Sequence, residues 1–308
     1  MKLSEAKEII DCLPRGKTPF YYFKDRYALM LLSLVADQHQ TKNDLKASRF
    51  AKLLNKGVIK TALFSCRGRS LDPNAFDAVW PVQPQIYHLT LGLWGSRRKN
   101  RWRQTSRTGF NLVLQLNFSN QHNDAYKRLV DDAEAGPFEY GGHPIAEHPF
   151  YTLAWARLDI DLTEGEALIE EIQNDWLREA QWHRNYAKRT LNHTVNPASA
   201  RRKRDLIRYV DTVLPAHQGV WHEAMLAAAI WFLRRELGVN TIYYHTHDSG
   251  AKLKGIHYRQ PPKSLYSRLP TQFCFERTQE RPQLLENSTR SPARRKHIEN
   301  AFFFKMSL

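Results

Sequence analysis

Residues 221–238, WHEAMLAAAIWFLRRELG, place apolar or alanine side chains around most of the circumference a helix would present, which predicts a helix buried on nearly every side. Gly238 follows its last turn, where a left-handed cap favours glycine. The next residues, NTIYYHT, read as a short central strand. Strand, buried helix and strand make a β-α-β unit, which requires two parallel strands in one sheet joined by a right-handed crossover.

The strands before the crossover are legible from their apolar runs. YHLTLGLW and GFNLVLQLNF read as a long hairpin joined by the basic connection SRRKNRWRQTSRT. YTLAWARLDID and EALIEEI follow, parted by a turn at Thr163 to Gly165. After NTIYYHT, DSGAKLKGI predicts a short helix, PPKSLYSRLP a Pro-bounded turn and helix, and TQFCFERT a last strand. The first 80 residues show helical spacing at Leu3, Ala6, Ile9 and Ile10, a dense apolar stretch from Tyr27 to Val35, and an amphipathic segment from Asp44 to Leu54. The expected fold is α/β (α+β): a mixed, mostly antiparallel sheet with a buried crossover helix and an N-terminal helical region. The expected division is residues 1–84, an α/β domain over 85–285, and a basic tail over 286–308 whose AFFF docks elsewhere.

Lys and Arg number 46 against 31 Asp and Glu, a net charge of +15 that favours polyanions such as nucleic acid. Cys12, Cys66 and Cys274 lack the paired spacing of a zinc ribbon or disulfide scaffold and read as reduced thiols. No run of about 18 apolar residues occurs, and acidic residues interrupt the start of the chain. The expectation is a cytoplasmic protein with no membrane partner.

Nucleic-acid contact is expected in the basic connection, where Arg97, Arg98, Lys99, Arg101 and Arg103 flank Trp102, a ring able to stack on a base. Arg201, Arg202, Lys203 and Arg204 form a second basic run on a helix. For catalysis, Glu171, Gln173 and Asp175 alternate on one face at a strand end, with Glu170 facing the other way. His245, His247 and Asp248 lie at the C-terminal end of the parallel strand, where open α/β sheets place ligands. With His217, His222 and Glu223 they define a rival reading, a metal-dependent hydrolase or nuclease. HExxH and paired cysteines are absent, and His217 and His222 are five apart, so no metal is expected.

The order of antiparallel strands, buried helix, strand, and a Tyr-bearing helix before a final strand resembles the catalytic half of the GNAT acyltransferase superfamily over residues 150 to 280. The resemblance implies an acyltransferase using acetyl-CoA or another acyl-CoA. Its pyrophosphate would meet the backbone of a Q/R-x-x-G-x-G/A turn at the helix N-terminus. The corresponding stretch is AHQGVWHEAML: Gln218 and Gly219 are present, while Trp221 and His222 replace small residues. The resemblance also implies Glu171 as a base, with His245 beside it, and Tyr266 as a general acid. Separately, ALIEEIQNDW resembles a segment of phage and mobile-element polyvalent proteins, with Asn174 in place of Ser. This second resemblance implies a phage, mobile-element or defence setting.

Overall fold

A computed structural model describes residues 1–12, 18–36, 41–65, 71–97, 104–130, 137–256, 261–286 and 292–308. Among them, eight strands form one sheet: β1 Thr18–Tyr22, β2 Gln85–Ser96, β3 Gly109–Phe118, β4 Thr152–Asp161, β5 Glu166–Gln173, β6 Thr241–His245, β7 Glu276–Thr278 and β8 Phe303–Ser307. Their order is β1-β2-β3-β4-β5-β6-β8-β7, and every neighbouring pair is antiparallel except β5 and β6. The mixed, mostly antiparallel sheet with one parallel pair is as the sequence predicts.

The helices used below are α1 Leu3–Cys12, α2 Arg26–Val35, α3 Lys42–Ala47, α4 Gly57–Ser65, α5 Pro73–Asp77, α6 Asn120–Leu129, α7 Trp176–Thr190, α8 Pro197–Thr212, α9 Trp221–Trp231, α10 His247–Lys254, α11 Arg268–Gln272, α12 Gln283–Glu286 and α13 Pro292–Glu299. The crossover helix is α9, and every residue from Glu223 to Ile230 is buried. Its alanines let the backbone lie close to the sheet, and a π-helical turn over Phe232–Glu236 carries the chain toward β6. A smaller apolar cluster of Leu168, Tyr243, Leu253, Leu284, Leu285, Ile298 and Phe303 joins β5, β6 and β8 to α10, α12 and α13.

The two ends of the chain contribute strands that their local patterns hide. Residues 18–22 pair with β2 as β1, and Tyr22, Tyr27, Leu31 and Phe50 share one core with α9. The segment expected as a tail supplies β8, inserted between β6 and β7. The last expected strand is shorter than TQFCFERT suggests, because α11 holds the chain up to Gln272 and Cys274 turns through a positive φ of 66°. Cys274 is buried and Cys12 exposed; Cys66 lies outside the described residues.

Candidate functional site

Pairing of β5 with β6 runs from Glu166 opposite Thr241 to Ile169 opposite Tyr244 and then stops. Across β4, Arg157 faces Glu171 while Leu158 faces Ile169, so Glu170 is an extra residue, a β-bulge. The bulge corrects the expected alternation. Glu170 and Glu171 do not point to opposite environments but are both buried within the field of Arg157 and Lys254.

Lys254 reaches this break from the last turn of α10. Thr246 and Ser249 form a capping box that starts the helix, and Gly255 ends it in the left-handed region at φ 70°. The Lys254 ammonium donates to the Glu170 carbonyl oxygen at 2.9 Å and lies 3.5 Å from Glu171 Oε2. Arg157 bonds the same Glu171 carboxylate and donates to the Gln104 carbonyl oxygen at 3.0 Å. The Glu170 carboxylate accepts from the Ser106 N–H at 2.9 Å and the Ser106 hydroxyl at 2.7 Å. His245 Nε2 stands 3.2 Å from Glu170 Oε2 and 2.8 Å from Ser106 Oγ, while its Nδ1 is 3.1 Å from Ser249 Oγ.

Two carboxylates thus meet two cations out of water. Burial opposes ionisation of Glu170, but the His245 hydrogen bond and the charges of Lys254 and Arg157 outweigh it and hold the carboxyl below its usual range. Glu171 is likewise lowered against burial, by Lys254 and Arg157. Burial lowers His245, which is neutral near pH 7. A neutral ring facing a carboxylate is best satisfied with its proton on Nε2. Ser106, His245 and Glu170 are not a nucleophile relay, because serine and carboxylate share one ring nitrogen instead of flanking the ring.

Tyr266 completes the group. Its ring lies 5.8 Å from the Lys254 ammonium and 5.5 Å from the Tyr244 ring, and its buried hydroxyl has no hydrogen-bond partner among the described residues. Glu171, His245 and Tyr266 therefore do converge at the rim of the parallel pair, around Lys254. Gln173 and Asp175 belong to an adjoining cluster. Asp175 lies 2.7 Å from His143 Nδ1, accepts from Arg178 at 2.7 Å and Gln173 at 2.9 Å, and places its charge at the N-terminus of α7.

The four residues expected at a cofactor lie elsewhere. Gln218 and Gly219 are exposed before α9, and Trp221 and His222 are half-buried in its first turn. The buried Glu223 carboxylate fills that helix end, accepting from Gln272 at 2.7 Å, Lys24 at 3.2 Å and the Asp25 N–H at 3.3 Å. The set weighed for a metal is dispersed. His217 bonds Tyr87 Oη at 3.0 Å in the aromatic core, and His247 lies 3.7 Å from Asp248. No group of three His, Cys, Asp or Glu among the described residues is placed to hold a metal ion.

Of the expected nucleic-acid contacts, Arg97 is exposed at the end of β2, while Arg98, Lys99, Arg101, Trp102 and Arg103 lie outside the described residues. The same connection does serve the interior through Ser106 and through Arg107, which bonds the buried Asp159 at 2.6 and 2.8 Å. Arg201 and Arg204 are exposed on α8, with Arg202 and Lys203 half-buried. Beside them on α7, Trp182 and Tyr186 are 56% and 49% exposed and stack at 6.0 Å with 10° between their planes. The Lys203 ammonium sits 6.0 Å from the Tyr186 ring. The sequence signal of this aromatic pair, absent from the expected contacts, is its i, i+4 spacing on a polar helix.

The architecture defines a mixed α/β chain with an open, mostly antiparallel sheet. No protein-family model, no curated protein and no solved structure matches it. No helix among the described residues is long and apolar enough to cross a membrane.

Proposed function

We propose that this chain is a nucleic-acid-binding module built on a GNAT-like sheet whose cofactor opening has been closed. The observation that carries the reading is the exposed Trp182–Tyr186 stack beside the basic face of α8. From Asp175 to Val213, nine Lys and Arg stand against four Asp and Glu. Flat rings at the surface with cations around them are what unpaired bases and their phosphates require. The strand order and the single parallel pair support the GNAT-like part, and the ALIEEIQNDW resemblance supports a phage, mobile-element or defence setting. The test is fluorescence anisotropy with a labelled single-stranded oligonucleotide over a salt series. Binding that weakens steeply with salt is expected; no binding at low salt, or a salt-independent affinity, rules the module out.

One observation favours a second reading, a working acyltransferase: the unpartnered Tyr266 hydroxyl near Glu171. The Lys254 bridge and Glu223 occupy the two places where an acyl-CoA would need open backbone and a bare helix end. Thermal stabilisation by millimolar acetyl-CoA would support catalysis, and its absence leaves the binding module.

A further inference from the structure

A cavity of about 450 Å³ opens between β1, α2, the residues following α5 and the C-terminal part of α9, away from the α7–α8 hairpin. Its lining includes Phe20, Met30, Trp80 and Trp231, with Arg26 and Arg235 as its cations. Asp77 is the one acid of the lining, and its carboxylate accepts from Ser33 Oγ at 3.2 Å. The balance within the cavity is therefore positive.

Arg26 is the unusual member. Its guanidinium carbon lies 4.4 Å from the Trp80 ring and 5.3 Å from the Phe20 ring. Its Nη1 is shut off from solvent and has no hydrogen-bond partner among the described residues. No carboxylate comes within ion-pair distance of it among the described residues; Asp77 acts on this half-buried cation only through its field, and the guanidinium's close contacts are with rings. A guanidinium stacked on rings keeps its in-plane N–H fork for a bidentate acceptor, a geometry that fits carboxylate or phosphate. Leaving the Nη1 donor unused in a partly dry cavity costs free energy that an incoming oxyanion would recover.

We propose that this cavity binds a small aromatic oxyanion, its carboxylate or phosphate on the Arg26 fork and its ring among Trp80, Phe20, Met30 and Trp231. The volume falls in the range of small-molecule sites, and the mainly apolar wall with a few polar groups is their usual composition. Arg235, exposed at the rim, adds attraction without being buried.

The test is isothermal titration calorimetry of the whole chain with 3-phenylpropionate and with phenyl phosphate, and with uncharged 3-phenylpropanamide as control. At least one anion is expected to bind at millimolar concentration or below, the amide at least tenfold more weakly; which anion prevails separates a carboxylate site from a phosphate site. Arg26→Met, which keeps an aliphatic chain against the rings, is expected to lose binding at least tenfold while melting no lower than the parent protein. Failure of both anions to bind, equal binding of amide and anion, or undiminished binding by Arg26→Met overturns the assignment. The comparison of anion with amide uses only the unaltered chain, so the proposal stands or falls even if the variant does not fold.

Discussion

Lys254 donates its ammonium to the main-chain carbonyl of Glu170 over 2.9 Å, at the point where β5 and β6 cease to pair. A lysine side chain thereby does what the next backbone amide of β6 would do if the ladder continued, and also faces Glu171. Lys254→Met removes one cation from a buried, balanced set and leaves a carbonyl and a carboxylate short of a partner. Loss of one partner of a buried ion pair costs about 3–5 kcal/mol. Urea unfolding should show a loss of that order for Lys254→Met, and Glu171→Gln in the same chain should restore part of it. Strictly additive losses would mean that the two groups do not act together.

Acid should weaken the fold through its buried histidines. Burial lowers His122 to about 3 and His217 to about 4, and lowers His245 as well. These rings are neutral in the fold but take protons when unfolded below about pH 6.5, so the unfolded chain binds the excess protons. Stability is complete above that pH and declines as pH falls, by up to about 1.4 kcal/mol per pH unit for each ring. Glu139, raised to about 7 by burial, works in the opposite direction between its ordinary value and 7 and reduces the slope. Urea midpoints should therefore drop between about pH 7 and about pH 5, and less so in the His122→Gln, His217→Gln double variant. An unchanged midpoint over that range would show that the rings are not held neutral.

The strands β3 to β5 and helix α9 are legible because each buries nearly its whole length, and β2 because Tyr87, Leu89, Leu91 and Leu93 alternate along it. β1 is five residues containing Pro19 within a helical region, and β8 carries Lys305 near the end of a basic segment; only their neighbours in the sheet make them strands. The site divides the same way. Glu171, His245 and Tyr266 stand out by their places at element ends, whereas Ser106 sits in a basic connection whose hydroxyl finds Glu170 only through the tertiary fold. Arg157 did leave a trace, as a charge inside TLAWARLDID, where every neighbour is buried. The bulge at Glu170 left none, since register belongs to the pair of strands and not to either sequence.

The aromatic stack and the arginines of the α7–α8 hairpin should contribute separably to nucleic-acid binding. Stacking on an aromatic ring is worth about 1–3 kcal/mol per base, so Trp182→Ala with Tyr186→Ala should weaken single-strand binding by about tenfold or more at every salt concentration. Arg201→Gln and Arg204→Gln should instead flatten the dependence of log affinity on log salt by about 0.7 for each phosphate that is no longer neutralised. Anisotropy titrations at several salt concentrations distinguish the two effects. A stack variant that binds as well as the parent would move the binding surface away from α7.

Tyr266 separates the binding module from the working enzyme without any substrate in hand. Its hydroxyl is buried beside Tyr244, whose own hydroxyl also lacks a partner among the described residues, and burial raises both phenols far above their ordinary range. Phenylalanine preserves the ring packing against Tyr244 and the ring face turned to Lys254 while removing a polar atom that makes no hydrogen bond to a described residue. An unsatisfied buried hydroxyl is a burden of about 1–3 kcal/mol, so Tyr266→Phe should be neutral or stabilising in urea unfolding. Nucleic-acid affinity should be unchanged, because the hydroxyl is in the interior and the stack is on α7. Destabilisation by more than about 1 kcal/mol would show that the hydroxyl has a partner in solution, and would make the cluster around Lys254 a seat of chemistry again.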